Sequence, residues 1–285
     1  MLFQLLNGLQ LAMLLFLLSV GLSVVLGLMN FINLAHGTIF MLGAYTGWTA
    51  AQLTGSYWLA LALGPLASAA IGGSLYALLF RRLQGASPLK QVLVTFGLIF
   101  VGYDTVRLVW GDYALALAEP AGLAGNVALF GTPYPTYRLF VIGLGIAIAM
   151  LLHLGLERTR LGAIVRAGVD DRVMVSSLGV DVDRAFVAVF VLGCWLAGLA
   201  GVVAAPVLSV SPEIDVSVLI LTLVVVVVGG PGSLKGALAG ALLVGFADTS
   251  GQVFLPELAS VLIYGVMAAV LLFLPGGLVP ARGRR

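Results

Sequence analysis

The first eighty residues of the chain, Met1 to Phe80, contain no aspartate, glutamate, lysine or arginine, and the first charged side chains are Arg81 and Arg82. A water-soluble domain needs charged groups over its surface, whereas an unpaired charge in the hydrocarbon of a bilayer is costly. The same holds along the whole chain, because 61% of its residues are hydrophobic and 9% are charged. The sequence therefore predicts an integral membrane protein and excludes a soluble domain.

Nine apolar windows follow one another with short connections. At roughly 20 residues for each span, they predict an all-α fold: a polytopic transmembrane helical bundle of about eight or nine spans, some of them discontinuous. We interpret residues 1–285 as a single domain with no separate soluble module. The windows run from about Leu9 to Leu28, His36 to Leu53, Trp58 to Phe80, Gln91 to Trp110, Leu139 to Leu156, Ala185 to Leu208, Val216 to Val228, Leu234 to Ser250 and Leu258 to Leu274.

Basic residues cluster in three places and predict the orientation of the bundle. The clusters are Arg81, Arg82 and Lys90, then five arginines from Arg158 to Arg184, then Arg282, Arg284 and Arg285. Because lysine and arginine are enriched in cytoplasmic loops, we expect all three clusters inside and the segment from Gly111 to Tyr137 outside. Nine full crossings would then place the N-terminus outside, whereas a re-entrant stretch around Met29 to Leu42 would place it inside. The sequence leaves both open.

Polar residues interrupt the hydrophobic pattern between the first two windows. Asn30, Asn33 and His36, followed by Gly37, set two amides and an imidazole between apolar stretches. Such groups are costly in lipid when unpaired, and transporters place them on discontinuous helices that contact a polar substrate. Asparagine also favours turns that satisfy their own backbone. Two hypotheses follow: a substrate pathway, or a cytoplasmic turn.

A second interruption is the string Gly229-Gly230-Pro231-Gly232-Ser233. The window before it has 13 residues, which as a helix would reach only about 20 Å of a hydrocarbon core of roughly 30 Å. A helix that stops partway would put Gly230, Gly232 and Ser233 on the substrate pathway. The plainer interpretation is a tight loop between two helices. The two interruptions fall near the two ends of the chain, as two structural repeats would place them.

One segment is hydrophilic: residues 157–184 carry five acidic and five basic side chains. Asp170 or Asp171 can cap a short helix, with an apolar face from Val173, Met174 and Leu178, and Gly179 can end it. A short amphipathic helix outside the bilayer suits docking onto a protein partner. The alternative, a helix lying on anionic lipid, is disfavoured by the acidic residues in the segment.

Several classes of chemistry have no support in the sequence. A P-loop needs Gly-Lys-Ser/Thr, but Lys90 follows Leu89 and Lys235 follows Leu234. No nucleophile with a base in reach and no metalloprotease motif is evident. We predict no catalytic or metal site, no cofactor and no nucleic-acid partner. A gradient-driven secondary transporter of small amino acids or amides such as urea remains the alternative. Such carriers usually bury an acid or a histidine, and Asp248 is the chief acidic candidate within the windows.

Six strings, in order and over nearly the whole chain, resemble one known family. They are residues 30–37 (NFINLAHG), 41–45 (MLGAY), 161–167 (LGAIVRA), 178–182 (LGVDV), 196–201 (LAGLAG) and 229–233 (GGPGS). The sequence is similar here to the membrane permeases of branched-chain amino-acid ABC transporters. The resemblance implies a permease fold of the ABC importer type in a bacterial inner membrane, translocating branched-chain or related small amino acids.

The resemblance also implies partners. These are a second homologous permease, two cytoplasmic ATPases that bind the ATP, and a periplasmic binding protein. Residues 158–184 would then be the coupling segment, with residues 170–179 entering a groove on the ATPase. The residues expected to couple to the ATPase are Arg166, Asp170, Asp171, Arg172, Met174, Leu178 and Gly179.

Overall fold

The computed structural model of the protein describes residues 2–29, 31, 33–129, 131–254 and 256–279. Its helices are α1 (Leu2–Met29), α2 (His36–Thr54), α3 (Tyr57–Leu75), α4 (Pro88–Trp110), α5 (Thr136–Arg158), α6 (Arg160–Asp170), α7 (Arg172–Ser177), α8 (Val182–Ala204), α9 (Ile214–Gly229), α10 (Leu234–Phe254) and α11 (Ala259–Phe273). A π-helical turn, Tyr76–Phe80, and a last helical turn, Arg81–Leu83, extend α3. A 3-10 turn, Pro256–Leu258, precedes α11. The strands β1 (Asn126–Leu129) and β2 (Thr132–Pro135) form an antiparallel hairpin.

The predicted polytopic helical fold is confirmed. Each of the nine apolar windows coincides with a helix, and the two further helices, α6 and α7, lie in the hydrophilic segment. Within the described residues, six helices are long and apolar enough to cross a bilayer by length and composition: α1, α3, α4, α5, α8 and α10. The apolar helices α9 and α11 are shorter.

The buried centre of the bundle is built from α1 and α8. Most of each helix is enclosed by other helices, while α4 and α5 leave most of their surface open. Small residues allow the central pair to approach closely, since Gly193 of α8 lies against the backbone of Gly21 in α1. The outer helices expose large apolar side chains, among them Phe96, Phe100 and Met150. Such a surface suits contact with lipid or with another membrane subunit.

The bundle has two chemically different ends. α3 runs antiparallel to α8, because Gly72 lies against Cys194 and Gly64 lies against Val202. The end of α3, with Arg81 and Arg82, therefore lies at the same end as α6 and α7, which precede α8. We call this the arginine-rich end; the loop from Gly111 to Pro135 lies at the opposite end, the loop end. The third basic cluster, at 282–285, lies outside the described residues.

α1 begins at the loop end. The Oδ1 atom of Asn7 accepts hydrogen bonds there from the hydroxyl of Tyr134 (3.2 Å) and the guanidinium of Arg138 (2.8 Å). α1 therefore begins at the end opposite to the hydrophilic segment, residues 157–184. This position is the one that nine crossings predict.

Two halves of the bundle repeat one arrangement in opposite directions. In α1–α4 and again in α8–α11, a long buried helix is followed by a non-helical segment and a second helix, which turns back into a third. The third helix begins both times with a capping serine after a glycine of positive φ: Gly55 (φ 66°) before Ser56, and Gly232 (φ 82°) before Ser233. The packing matches too, since α1 packs on α10 as α8 packs on α3.

Two repeats are therefore present, as the sequence predicted, but the interruption at 30–37 does not correspond to the one at 229–233. The interruption at 30–37 corresponds to the non-helical segment 205–213 before α9, whereas the turn at 229–233 corresponds to the turn between α2 and α3. The sequence comparison failed because residues 30–37 and 205–213 share no residue pattern.

Candidate functional site

The second helix of the first repeat begins deep inside the bundle. The Nε2 atom of His36 lies 3.1 Å from the carbonyl oxygen of Leu18. Leu18 lies 11 residues before the end of α1, which is about 16 Å at ~1.5 Å for each helical residue. His36 therefore lies well back along α1 from Met29. Asn30 and Ile32 themselves lie outside the described residues.

The stretch is thus re-entrant, as one alternative predicted. That alternative also predicted that α1 would begin at the same end as the basic clusters, and this part of it is wrong. Met29 lies at the arginine-rich end, His36 lies in the middle of the bundle, and α2 continues from His36 to the loop end. Between Met29 and Thr54 the chain therefore passes once from the arginine-rich end to the loop end.

The first turn of α2 meets the first turn of α9 at this depth. The hydroxyl of Thr38 donates a hydrogen bond to Oδ2 of Asp215 at 3.2 Å. Gly37 lies so close to the main-chain carbonyl of Asp215 that an added Cβ would collide with it. Oδ1 of Asp215 accepts the N–H of Val216 at 2.8 Å, and Asp215 is only 2% exposed. The positive ends of two helix dipoles therefore converge on one buried carboxylate, which they stabilise.

Asp215 is not among the residues predicted from the sequence, because it stands directly before the apolar window that begins at Val216. The missed signal is an acidic residue immediately before an apolar run, which marks the first turn of a helix. Asp248, the acid that the sequence did single out, is only partly buried in α10 and accepts a hydrogen bond from Gln252 (2.8 Å).

Two buried oxygen atoms near the re-entrant segment have no hydrogen-bond partner among the described residues. They are Oδ1 of Asn33, which is 2% exposed, and Oγ of Ser23 in α1. The backbone of Asn33 is engaged, since its carbonyl accepts the N–H of His36 at 3.4 Å. A buried acceptor without a donor costs free energy. Such an atom marks a place where a ligand group or another conformation can supply the missing bond.

The residues Gly230, Gly232 and Ser233 lie elsewhere, at the arginine-rich end. They form the tight turn between the antiparallel helices α9 and α10, where Oγ of Ser233 caps α10 by accepting the N–H of Gly236 at 3.0 Å. The plainer of the two interpretations is therefore confirmed. α9 does reach only part of the bundle depth, but the shortfall is at its start, beside Thr38, and not at this turn.

The structure does not bring the two predicted groups of pathway residues together. α9 has 16 residues, so its length of about 24 Å separates the turn from Asp215 and His36. The turn instead contacts the end of α1, where an added Cβ on Gly27 would overlap Cα of Gly232.

The hydrophilic segment folds as predicted into short helices with a defined cap. Oδ1 of Asp171 accepts the N–H of Met174 at 2.9 Å and caps α7, and Gly179 with φ 78° follows its end. Arg166 donates to the carbonyl oxygen of Leu156 and so ties α6 to α5. The side chains of Asp170 and Arg172 lie outside the described part of the structure.

α7 has one buried and one exposed apolar face. Val175 belongs to a buried apolar cluster with Val182 and Phe186 of α8, and Met29 at the end of α1 packs against that cluster. On the other side, Val173, Met174 and Leu178 are 77%, 63% and 73% exposed and form what we call the apolar ridge. Large apolar side chains exposed on a short helix next to a charged surface are typical of a docking site for another protein.

Comparison with known proteins agrees with this arrangement. Residues 4–271 match the family described as branched-chain amino acid transport system / permease component. The chain is 29% identical, over 97% of its length and 94% of the relative, to the high-affinity branched-chain amino acid transport system permease protein BraD of Pseudomonas aeruginosa. The corresponding values for the permease protein LivH of Escherichia coli K12 are the same.

A solved structure shares the fold. PsaBC from Streptococcus pneumoniae, in complex with Fab, superposes with a TM-score of 0.50 at 15% identity, covering 94% of this chain and 89% of the other. At that identity the likeness concerns the fold alone. With the match over residues 4–271, the chain belongs to the family of permease components of branched-chain amino acid transport systems.

Proposed function

We propose that the chain is the membrane-spanning subunit of an ABC importer that moves branched-chain or related small amino acids across a bacterial inner membrane. The observation that carries the proposal is the apolar ridge on α7, an exposed surface at the arginine-rich end that is held in place by the Asp171 cap. Family membership supports it. The proposed partners are a second homologous permease, two cytoplasmic ATP-binding subunits and a periplasmic binding protein.

The ATPase would act on this chain through α7. Neither lysine of the sequence lies in a P-loop motif, so in this proposal ATP is bound and hydrolysed by another subunit. Val175 on the inner face of α7 shares a buried cluster with Phe186 of α8, and Met29 at the end of α1 packs against this cluster. A displacement of α7 would therefore move the ends of α1 and α8 together, and the end of α1 leads directly into the re-entrant segment. Binding energy outside the membrane would in this way shift the population of states inside it.

The substrate site proposed here is the polar layer formed by Asn33, His36 and Gly37 with Asp215. A zwitterionic amino acid needs acceptors for its ammonium group, and Oδ1 of Asn33 has no partner among the described residues. Gly230, Gly232 and Ser233 belong to the cytoplasmic side of the pathway in this proposal.

One observation favours the rival, a gradient-driven carrier. Asp215 is an acid buried in the bundle, and intramembrane acids often carry protons or bind sodium. Both of its carboxylate oxygens, however, accept hydrogen bonds, one from Thr38 and one from the N–H of Val216. That arrangement suits a fixed counter-charge for two helix ends better than a carrier group.

Reconstitution separates the two functions. The complete transporter is placed in proteoliposomes, and uptake of radiolabelled leucine, valine and urea is measured with and without ATP and with a proton uncoupler. We expect uphill leucine uptake that needs ATP and is insensitive to the uncoupler. Uptake that the uncoupler abolishes while ATP is present, or accumulation by this chain alone, would refute the proposal.

The docking role is tested by placing a charge on the apolar ridge. Leu178→Asp is expected to weaken ATPase binding and to uncouple ATP hydrolysis from uptake, with membrane insertion unchanged. Asp171→Lys, which also removes the cap of α7, should do the same. The matched control is Val127→Asp, which adds the same charge to an exposed strand residue at the loop end. Equal coupling in Leu178→Asp and in the control would remove the docking role.

A further inference from the structure

The loop between α4 and α5 lies across the loop end of the bundle. Leu115 and Val210 form two backbone hydrogen bonds. The N–H of Leu115 donates to the carbonyl of Val210 (N to O distance 2.8 Å), and the N–H of Val210 donates to the carbonyl of Leu115 (2.9 Å). Within residues 114–118 (ALALA) the side chains of Leu115 and Leu117 are buried, while the alanines between them are exposed. This alternation is that of a short strand with one apolar face. We call residues 114–118 the strap.

Aromatic side chains fasten the strap and its partner to α2. The indole N–H of Trp48 donates to the carbonyl of Ala116 at 3.2 Å, and the hydroxyl of Tyr45 donates to that of Val210 at 3.5 Å. The end of α4 joins the same group, since the indole N–H of Trp110 donates to the hydroxyl of Thr49 at 2.8 Å. The strap thus links α2, α4 and the segment before α9.

The partner of the strap, Val210, belongs to the non-helical segment 205–213, which leads to the buried carboxylate. Val210 is fully buried, and it lies between the end of α8 at Ala204 and the start of α9 at Ile214. Five residues further on, Asp215 binds Thr38. With the strap in place, Asn33, His36 and Asp215 are each 2% exposed. The segment 205–213 therefore leads from the loop end, where Val210 is bonded to the strap, to the depth of these residues.

We infer that the strap is an outer gate element of the transport path, and that substrate entry requires it to part from Val210. The inference rests on the proposed function. A single pair of residues joined by backbone hydrogen bonds lacks the cooperativity of a larger sheet. It can therefore open and close without unfolding α4, α8 or α9.

A reversible cross-link tests the inference. The test variant carries Leu115→Cys and Val210→Cys. In a hydrogen-bonded antiparallel pair the two Cα atoms are about 5.5 Å apart, which is within the range that a disulfide spans. The one natural cysteine, Cys194, is buried in α8. The control is Ala128→Cys with Pro133→Cys, a pair in register across β1 and β2 that cross-links the same loop without touching Val210. The complete transporter is reconstituted, and ATP-driven uptake of radiolabelled leucine is measured before oxidation, after oxidation and after reduction.

We expect oxidation to reduce leucine uptake by the Leu115/Val210 variant to the level seen without ATP, and reduction to restore it. Uptake by the Ala128/Pro133 variant should be unaffected. Undiminished uptake by the oxidised Leu115/Val210 variant, or failure of its disulfide to form, would overturn the inference. Absence of ATP-driven uptake in the reduced, unsubstituted transporter would instead overturn the proposed function, so the two failures are distinguishable.

Discussion

The contact between Thr38 and Asp215 allows a quantitative test of the central site. Thr38→Val keeps the shape of a buried side chain and removes only the hydroxyl that donates to Oδ2 of Asp215 at 3.2 Å. Oδ1 of Asp215 keeps its bond to the N–H of Val216. The substitution therefore leaves one carboxylate oxygen, buried inside the bundle, without its donor.

The size of the loss depends on the charge of the acceptor. A hydrogen bond to a charged group contributes about 1.5–3 kcal/mol, whereas side-chain hydrogen bonds between membrane helices average about 0.6 kcal/mol. The observed 3.2 Å is longer than the distances of strong charge-assisted bonds. We therefore expect Thr38→Val to lower the free energy of unfolding by about 1.5 kcal/mol, at the lower end of the charged range.

The measurement is a reversible unfolding titration with a denaturing detergent in mixed micelles, at fixed lipid composition and pH. The matched control is Thr222→Val in α9, because Thr222 is equally buried but donates to the carbonyl of Val218 in its own helix (2.7 Å). Loss of such a local bond should change stability by less than about 0.5 kcal/mol. The loss in Thr38→Val should also shrink when Asp215→Asn is already present. Equal losses in the two threonine variants would refute the interpretation that the hydrogen bond from Thr38 to the charged carboxylate of Asp215 links α2 to α9.

Two further substitutions address the re-entrant segment. Asn33→Leu should reduce leucine uptake and leave assembly intact, as measured by size-exclusion chromatography. Assembly is retained because Oδ1 of Asn33 has no hydrogen-bond partner among the described residues to lose. Full uptake would favour the turn hypothesis instead. Gly37→Ala should lower the free energy of unfolding by about 1–3 kcal/mol through collision with the carbonyl of Asp215. In Gly97→Ala, where an added methyl meets nothing within 4 Å, the helix should instead gain about 1 kcal/mol, and similar effects of the two changes in the unfolding titration would contradict the close approach.

Much of this protein could be predicted from short stretches of sequence. The absence of charge before Arg81 required a membrane protein, and each apolar window became a helix. The clusters at Arg81 and at Arg158–Arg184 lie at the same end, and Asp171 caps α7. These features depend on local properties, namely the cost of placing a charge in hydrocarbon and the hydrogen bonds of a helix end, and both act within a few residues.

The depth of each segment was decided only by tertiary contacts. Thr38 and Asp215 are 177 residues apart in the chain, and nothing in either neighbourhood specifies that they pair. The re-entrant path before α2, the match between the two repeats and the bridge from Leu115 to Val210 likewise depend on which helices pack side by side. A high hydropathy predicts that a residue is buried away from water, but it does not show whether the residue contacts lipid or another helix. Contact with another helix is seen only in the tertiary structure, where particular backbones approach closely, as Gly37 does to Asp215.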